Sequence, residues 1–301
     1  MTFFSRLKTS LTSAALVCAL GLVAIPAHSA GHEDGERRTF IFGHSLLNNG
    51  TARSAIPYWM VQFARAEQKR FNFAGQYGFH WDHANNLPPE SEWGFDGAPA
   101  FWDHNQQDFA SAGFDSILFT PVNFVQYESP TADLDWAGGS TAGLTLRVID
   151  WVAAQEPGIH VYIYENWPEM QINNFPPSDQ EFDDYNAFIL GQFSDWWDDY
   201  HTALQDGRPD VQITSIPVGP IIAKMITQTS LLSGISVTDL YLDGDPHGTD
   251  TTYFLASLIT YAGMFETAPP AGINVPNGIH PVIKANYAGI AQFIADELGV
   301  N

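Results

Sequence analysis

The chain has 301 residues, of which 45% are apolar and 15% are charged, and its 34 acidic side chains outnumber its 12 lysines and arginines by 22. Such an excess of negative charge disfavours nucleic acid and anionic membranes as partners, because both carry the same sign of charge. The length and the apolar fraction suffice for a full hydrophobic core, and one large domain is the simplest interpretation.

The first 30 residues have the pattern of a secretory signal peptide. Arg6 and Lys8 precede an apolar run at 14–25, and small residues follow the run, as they do before a cleavage site. The run is too short for a comfortable membrane span. We therefore expect a secreted or periplasmic protein without a stable membrane anchor, with one domain over residues 31–301.

Cleavage after residue 30 would change both the charge and the thiol content. It removes two positive charges and no negative ones, so 12 − 2 = 10 basic side chains face 34 acidic ones and the formal charge becomes −24. Cys18 is the only cysteine and lies in the removed segment. The mature chain is then expected to have no disulfide and no thiolate metal site.

An apolar stretch at residues 39–42 runs directly into Gly43, His44 and Ser45. Such a stretch is typical of a buried central strand, and open α/β sheets place ligands at the carboxyl ends of their parallel strands. Ser45 is therefore placed where a nucleophile would lie. The alternative interpretation is a loop serine that caps a helix.

Along the whole chain, hydrophobic periodicity and capping signals predict alternating strands and helices. The predicted strands lie at 39–42, 71–74, 116–119, 160–164 and 212–216. The predicted helices lie at 54–70, 141–156, 178–204, 221–232, 249–265 and 281–298. This alternation specifies an α/β fold, a three-layer α/β/α sandwich with a five-stranded parallel sheet.

Two histidines late in the chain are candidates for the base that an acyl-transfer site needs. His247 follows Asp243 and Asp245 in a loop that precedes a helix. His280 follows Asn277, whose neutral amide cannot stabilise an imidazolium as a carboxylate does. We favour His247, and we interpret His280 as a polar residue at the start of a helix.

Two segments of the chain resemble sequence blocks of the SGNH (GDSL-like) hydrolases. Gly43-His44-Ser45-Leu46 resembles the first block, and the Asp243–His247 loop resembles the last. The Gly-x-Ser-x-Gly elbow of the α/β-hydrolases is absent from the chain. The resemblance implies a flavodoxin-like fold and a serine esterase in which Ser45 is the nucleophile, His247 the base and Asp243 the orienting carboxylate. The usual family spacing is D-x-x-H, but Gly244 stands at that acidic position, so Asp245 is an alternative to Asp243.

The same resemblance implies an oxyanion hole with three donors. These are the Ser45 N–H, a glycine N–H after the second strand and an asparagine side chain after the third. Gly78 and Asn123 occupy the matching positions, and Gly75 is an alternative to Gly78. Asn123 stands without the neighbours of the family's Gly-x-Asn-Asp block, and a turn residue is its alternative interpretation.

Residues 75–104 have no clear period, and a loop this long inside a compact domain is usually functional. Its His80-Trp81-Asp82-His83 segment, with Asp103 and His104, contains residue types that bind metals. The spacing gives no helical His-x-x-x-His face, so we interpret them as polar residues bordering the active site. No metal or other cofactor is expected.

Six aromatic residues follow the predicted strands outside the periodic helices: Trp81, Trp93, Trp102, Tyr127, Trp136 and Trp167. Aromatic rings around a cleft can stack on sugar faces or line an acyl pocket. The expected partner is therefore a small-molecule or carbohydrate ester, such as an O-acetyl group on a polysaccharide. The alternatives are a lipase or thioesterase of the same fold, a metal-dependent hydrolase and a non-catalytic periplasmic glycan-binding protein.

Overall fold

A computed structural model describes residues 35–301 and contains one five-stranded parallel sheet. The strands of the described chain are β1 Glu36–Gly43, β2 Arg70–Tyr77, β3 Ser116–Phe119, β4 Asp133–Leu134, β5 Gly139–Ser140, β6 His160–Tyr164 and β7 Ile213–Ile216. The main sheet has the order β2-β1-β3-β6-β7, and β4 and β5 form a separate short hairpin. The predicted signal peptide and its cleavage site lie outside the described residues.

Helices cover both faces of this sheet, which confirms the predicted α/β sandwich. They are α1 Ile56–Ala66, α2 His80–Asn85, α3 Phe109–Ala112, α4 Thr141–Gln155, α5 Asp179–Leu190, α6 Gln192–Gly207, α7 Val218–Thr227, α8 Val237–Leu240, α9 Asp250–Phe265 and α10 Pro281–Leu298. No helix among residues 35–301 combines the length and the hydropathy needed to cross a membrane.

The side chains of alternate β1 residues point into two different hydrophobic cores, one on each face of the sheet. Ile41 packs into the core that contains α1, α7, α9 and α10, whereas Phe40 and Phe42 pack into the core that contains α4 and α6. All three side chains are fully buried. A strand buried on both faces explains the continuous apolar run that predicts it.

The structure differs from the predictions in two elements near the site. The predicted helix at 178–204 is two helices, because Gly191 ends α5 and precedes α6 with φ −114° and ψ −108°, outside the helical region. The second strand extends to Tyr77 instead of ending at residue 74. Gly75 therefore lies within β2 and not in the loop beyond it.

The strand order places a crevice between β1 and β3. From β1 the chain first adds β2 on one side and then β3 on the other. In doubly wound sheets this reversal of direction leaves the loops after the two strands diverging, and ligands bind between them at the carboxyl ends. The loops that begin at His44 and Thr120 flank this point.

Candidate active site

The nucleophile candidate Ser45 lies in a tight turn at the carboxyl end of β1. The His44 carbonyl accepts hydrogen bonds from Leu47 N at 2.9 Å and Asn48 N at 3.1 Å, which folds the chain back on itself. The Leu47 side chain covers Gly43 so closely that a Cβ at that position would collide with it. Glycine before the turn is therefore a steric requirement for this path of the chain.

Asp243, His247 and Ser45 form a hydrogen-bonded series. His247 Nδ1 lies 2.8 Å from Asp243 Oδ2, and His247 Nε2 lies 3.1 Å from Ser45 Oγ. An ionised carboxylate can only accept, so Nδ1 carries the proton and Nε2 accepts from the serine hydroxyl. This is the arrangement in which a histidine can take the serine proton.

The loop around His247 shows how Asp243 reaches the imidazole despite the additional residue. Asp243 Oδ1 accepts from the backbone N–H of Asp245 at 3.1 Å and of His247 at 3.0 Å, so the loop curls around this carboxylate. The Asp245 residue is exposed to solvent. Of the two carboxylates considered for the orienting role, Asp243 is the one that hydrogen-bonds to the ring.

Neighbouring segments hold this loop and the serine turn in place. Trp167 Nε1 donates to the Pro246 carbonyl at 2.9 Å, and Met170 N donates to the Gly244 carbonyl at 2.9 Å. The hydroxyl of Tyr253, in α9, donates to the Ser45 carbonyl at 2.5 Å. The bracing by Trp167 joins residues 79 positions apart in the chain, and no local sequence signal indicates it.

His44 and Asn166 connect the serine turn to the loop after β3. His44 Nε2 donates to the Pro121 carbonyl at 3.1 Å, and Asn166 Nδ2 donates to the same oxygen at 2.7 Å and to Thr120 Oγ1 at 2.9 Å. Burial lowers the pKa of His44 to about 4, so its ring is neutral at pH 7 and donates through Nε2. This network positions the loop that carries Asn123.

The three expected oxyanion donors differ in whether their N–H groups already have a hydrogen-bond acceptor. The Ser45 N–H has no hydrogen-bond acceptor within the described part of the chain. Asn123 Nδ2 donates one hydrogen to the Asp245 carbonyl at 3.2 Å, so its second hydrogen remains available to another acceptor. The Gly78 N–H donates to the Gly43 carbonyl at 3.0 Å, and Gly75 lies inside β2. The structure therefore does not support either glycine as the third donor.

An oxyanion role for Asn123 predicts that its replacement with alanine lowers kcat on a small ester by about 10²–10³-fold, the usual cost of removing one oxyanion donor. Steady-state kinetics measure the effect, and thermal unfolding shows whether the loop remains folded. Gln126→Ala is the matched control, because Gln126 is an amide of the same loop that donates to the Val122 carbonyl instead. Equal losses in the two variants would contradict a role for Asn123 at the oxyanion.

The structure separates the candidate metal ligands of the loop at 75–104. His80 and His83 are buried in α2, while Asp82 accepts the Phe79 N–H at 2.9 Å and His104 accepts the Ser91 N–H at 3.0 Å. These side chains do not converge. Among residues 35–301, one group of three ligand-type side chains has its ligand atoms within 4.8 Å of one another, and it consists of Asp243, Asp245 and His247.

Of the six aromatic residues expected around a cleft, three are buried, two are exposed and Trp81 is partly exposed. Trp93, Trp102 and Trp167 are buried in the core, which corrects the expectation for them, whereas Trp136 is 62% exposed and Tyr127 is 52% exposed. A partly exposed group that we call the aromatic wall is formed by Phe79, Trp81, Phe124 and Trp136, with the Trp81 and Trp136 ring centroids 4.9 Å apart. This wall adjoins the candidate site, because Phe124 directly follows Asn123.

His280 has a structural role in the described chain. It caps α10, where its Nδ1 accepts from Val282 N at 3.3 Å and its own N–H donates to Thr251 Oγ1 at 3.0 Å. Its Nε2 lies 4.0 Å from Asp239 Oδ2. The Ser45 hydroxyl donates its hydrogen bond to His247 and not to this residue.

Glu165, at the carboxyl end of β6, is a buried carboxylate that the serine chemistry does not use. Burial raises its pKa from 4.5 to about 7, with a smaller contribution from Asp198 and an opposing hydrogen bond from Ser215. The folded protein therefore binds a proton here that the unfolded chain has lost, and stability falls as the pH rises from 4.5 to 7. The full effect is about 3 kcal/mol, because each pKa unit is worth about 1.4 kcal/mol.

Glu165→Gln should remove this contribution, so that the variant gains stability relative to the wild type at pH 8 but not at pH 4.5. Urea unfolding at the two pH values measures the difference. If the stability difference between the wild type and the variant is the same at both pH values, Glu165 is not the titrating group.

The chain matches no protein-family model and no curated protein sequence. Among solved structures it is similar to a DUF4886 family protein from Bacteroides uniformis ATCC 8492, with a TM-score of 0.54, 13% sequence identity and coverage of 88% of this chain and 97% of the other. It is also similar to a candidate GDSL-like lipase from Parabacteroides merdae ATCC 43184, with a TM-score of 0.42, 9% identity and coverage of 75% and 94%. The first similarity shows a shared fold, and the second is too weak to support an argument.

Proposed function

We propose that this protein is a serine ester hydrolase of the SGNH type that acts on small acyl esters. The observation that carries the proposal is the series from Asp243 Oδ2 through the His247 ring to Ser45 Oγ, with separations of 2.8 and 3.1 Å. A nucleophile, a base within hydrogen-bond reach and a group that orients the base are the three parts that acyl transfer by serine requires.

In the proposed reaction, His247 Nε2 takes the Ser45 proton as the serine oxygen attacks the ester carbonyl carbon. The negative charge that develops on the carbonyl oxygen faces the Ser45 N–H and the free hydrogen of Asn123 Nδ2. Asp243 stabilises the imidazolium, which then gives its proton to the departing alcohol. Water, activated by the same imidazole, hydrolyses the acyl-enzyme and releases the acid.

The aromatic wall supports a carbohydrate ester as the natural substrate, with an O-acetyl group as the acyl part. Phe124, which follows Asn123, and Trp136, which joins it through Trp81, are exposed, and exposed indole and phenyl faces can stack on sugar rings. A lipase or thioesterase with the same residues would instead favour long acyl chains, so a comparison of acetyl with octanoyl esters separates the two. Secretion, proposed from residues 1–30, would place the enzyme where extracellular glycans are found.

Hydrolysis of a chromogenic acetate ester tests the proposal directly. The mature protein should release the chromophore, Ser45→Ala should not, and a chelator should leave the rate unchanged. Activity that a chelator abolishes and metal restores would favour a metal-dependent hydrolase. Carbohydrate binding without hydrolysis of any ester would favour a binding protein that retains the fold.

A further inference from the structure

A pocket of about 260 Å³ lies beside the loop that carries His247, and aromatic side chains form much of its wall. Tyr127 and Phe188 stack with ring centroids 5.9 Å apart and an angle of 9° between their planes. Tyr185 contributes a third ring, and its hydroxyl donates to the Pro168 carbonyl at 2.9 Å. Because that hydroxyl is already bonded, Tyr185 presents mainly an aromatic surface to the pocket.

Three carboxylates, those of Glu169, Glu181 and Asp184, also line this pocket, and no lysine or arginine is among its lining residues. Glu169 additionally faces Asp245, another carboxylate, and partial burial together with this neighbour raises the pKa of Glu169. Like charges placed together without a cation favour a positively charged ligand.

Several contacts place this pocket next to the loop that carries Asp243 and His247. Glu169 N donates to the Asn123 carbonyl at 3.1 Å, and Met170 N donates to the Gly244 carbonyl at 2.9 Å. The Ile172 side chain, which lines the pocket, packs against Gly244, since a Cβ there would lie 3.7 Å from it. The pocket therefore adjoins the residues that separate Asp243 from His247.

The pocket suits an organic cation better than a metal ion. Its three carboxylates do not converge, because the only set of three ligand-type side chains within 4.8 Å of one another in the described chain lies on the His247 loop. A small ion needs several oxygens at one point. An ammonium group with alkyl substituents instead gains from aromatic faces and from carboxylates spread around it.

We propose that this pocket binds a protonated or quaternary ammonium group on the alcohol part of the ester. The proposal rests on the proposed esterase function and specifies its substrate. We assign the alcohol part of the ester, and not the acyl part, to this pocket. The leaving alcohol oxygen receives its proton from His247 Nε2, so the alcohol lies on the side of the His247 loop, which the pocket adjoins. The carbonyl oxygen, in contrast, faces Ser45 N and Asn123.

The first test compares acetylcholine, the acetate ester of choline, with its neutral isostere, 3,3-dimethylbutyl acetate. The wild type should prefer the cationic ester by about tenfold in kcat/KM, mainly through KM, in line with cation–π and charge contacts of moderate strength. Glu169→Gln/Asp184→Asn should bring the ratio close to one. Asp183→Asn removes one negative charge from the exposed position of α5 next to Asp184, outside the pocket, and should keep the preference.

The second test measures tetramethylammonium binding to Ser45→Ala by calorimetry, which needs no turnover. Binding that is lost in the Glu169→Gln/Asp184→Asn background supports the pocket assignment, even if no ester is hydrolysed and the proposed function fails. Hydrolysis of both acetates at equal kcat/KM, without tetramethylammonium binding, would overturn the pocket assignment while the esterase function stands. Competition by glucosamine but not by N-acetylglucosamine would identify an amino sugar as the source of the cation.

Discussion

Replacing His247 with alanine should lower kcat/KM for a small acetate ester by about 10⁴–10⁶-fold, as expected for loss of the base in a serine triad. The effect is large because the Ser45 hydroxyl donates its hydrogen bond to this imidazole at 3.1 Å, and a neutral serine hydroxyl without a base is a weak nucleophile. Steady-state hydrolysis of a chromogenic acetate measures the loss.

His280→Ala is the control for that prediction. His280 caps α10, so its removal should cost about 1 kcal/mol of stability and leave the rate constant near that of the wild type. Asp243→Asn should also be severely impaired, whereas Asp245→Asn should retain most activity, because of the two carboxylates Asp243 is the one hydrogen-bonded to the His247 ring. A His280 variant that is as inactive as the His247 variant would contradict the assignment of the base.

Acidification from pH 7.5 to pH 5 should destabilise the fold through the three most deeply buried histidines of the described chain, His44, His80 and His83. Burial lowers the pKa of His44 to about 4 and that of His80 and His83 to about 3, from 6.5 in each case. Below pH 6.5 the unfolded chain binds protons that the folded protein does not, so the free energy of unfolding decreases as the pH is lowered. At pH 5 the loss is about 2 kcal/mol for each ring and about 6 kcal/mol for the three.

Glu165 acts in the opposite direction over the same range, because its pKa is raised, but it recovers only about 2 kcal/mol. The histidines therefore dominate, and the free energy of unfolding from urea titrations should be several kcal/mol lower at pH 5 than at pH 7.5. His83→Gln should reduce that difference by about 2 kcal/mol, which is about half of it. A wild type with equal stability at both pH values would contradict the prediction.

The sequence predicts most accurately those elements whose first and last residues are determined by nearby residues in the chain. The strands at 116–119 and 160–164 match β3 and β6, because both are short runs buried on both faces. Helix α10 matches over its whole length, since Pro281 begins it and Gly299, with φ +64°, ends it. Gly191 was not recognised as a break, because the apolar periodicity continues through it.

The nucleophile and base candidates could be selected from sequence, since each is part of a local motif. The choice between Asp243 and Asp245 could not be made there, because it depends on how the loop folds around the Asp243 carboxylate. The bracing by Trp167 and Asn166 was also beyond the sequence, since their partners lie on strands and loops that are distant along the chain. Trp167 is in consequence a core residue and not a residue of the cleft.

Covalent labelling with a fluorophosphonate tests most directly whether Ser45 is an activated nucleophile. We expect one adduct per chain, located at Ser45 by peptide mass spectrometry, with loss of ester hydrolysis in proportion to labelling. His247→Ala should label far more slowly, because its serine lacks the base. An enzyme that hydrolyses esters while Ser45 remains unlabelled, or that is inactivated by an adduct at another residue, would contradict the proposed mechanism.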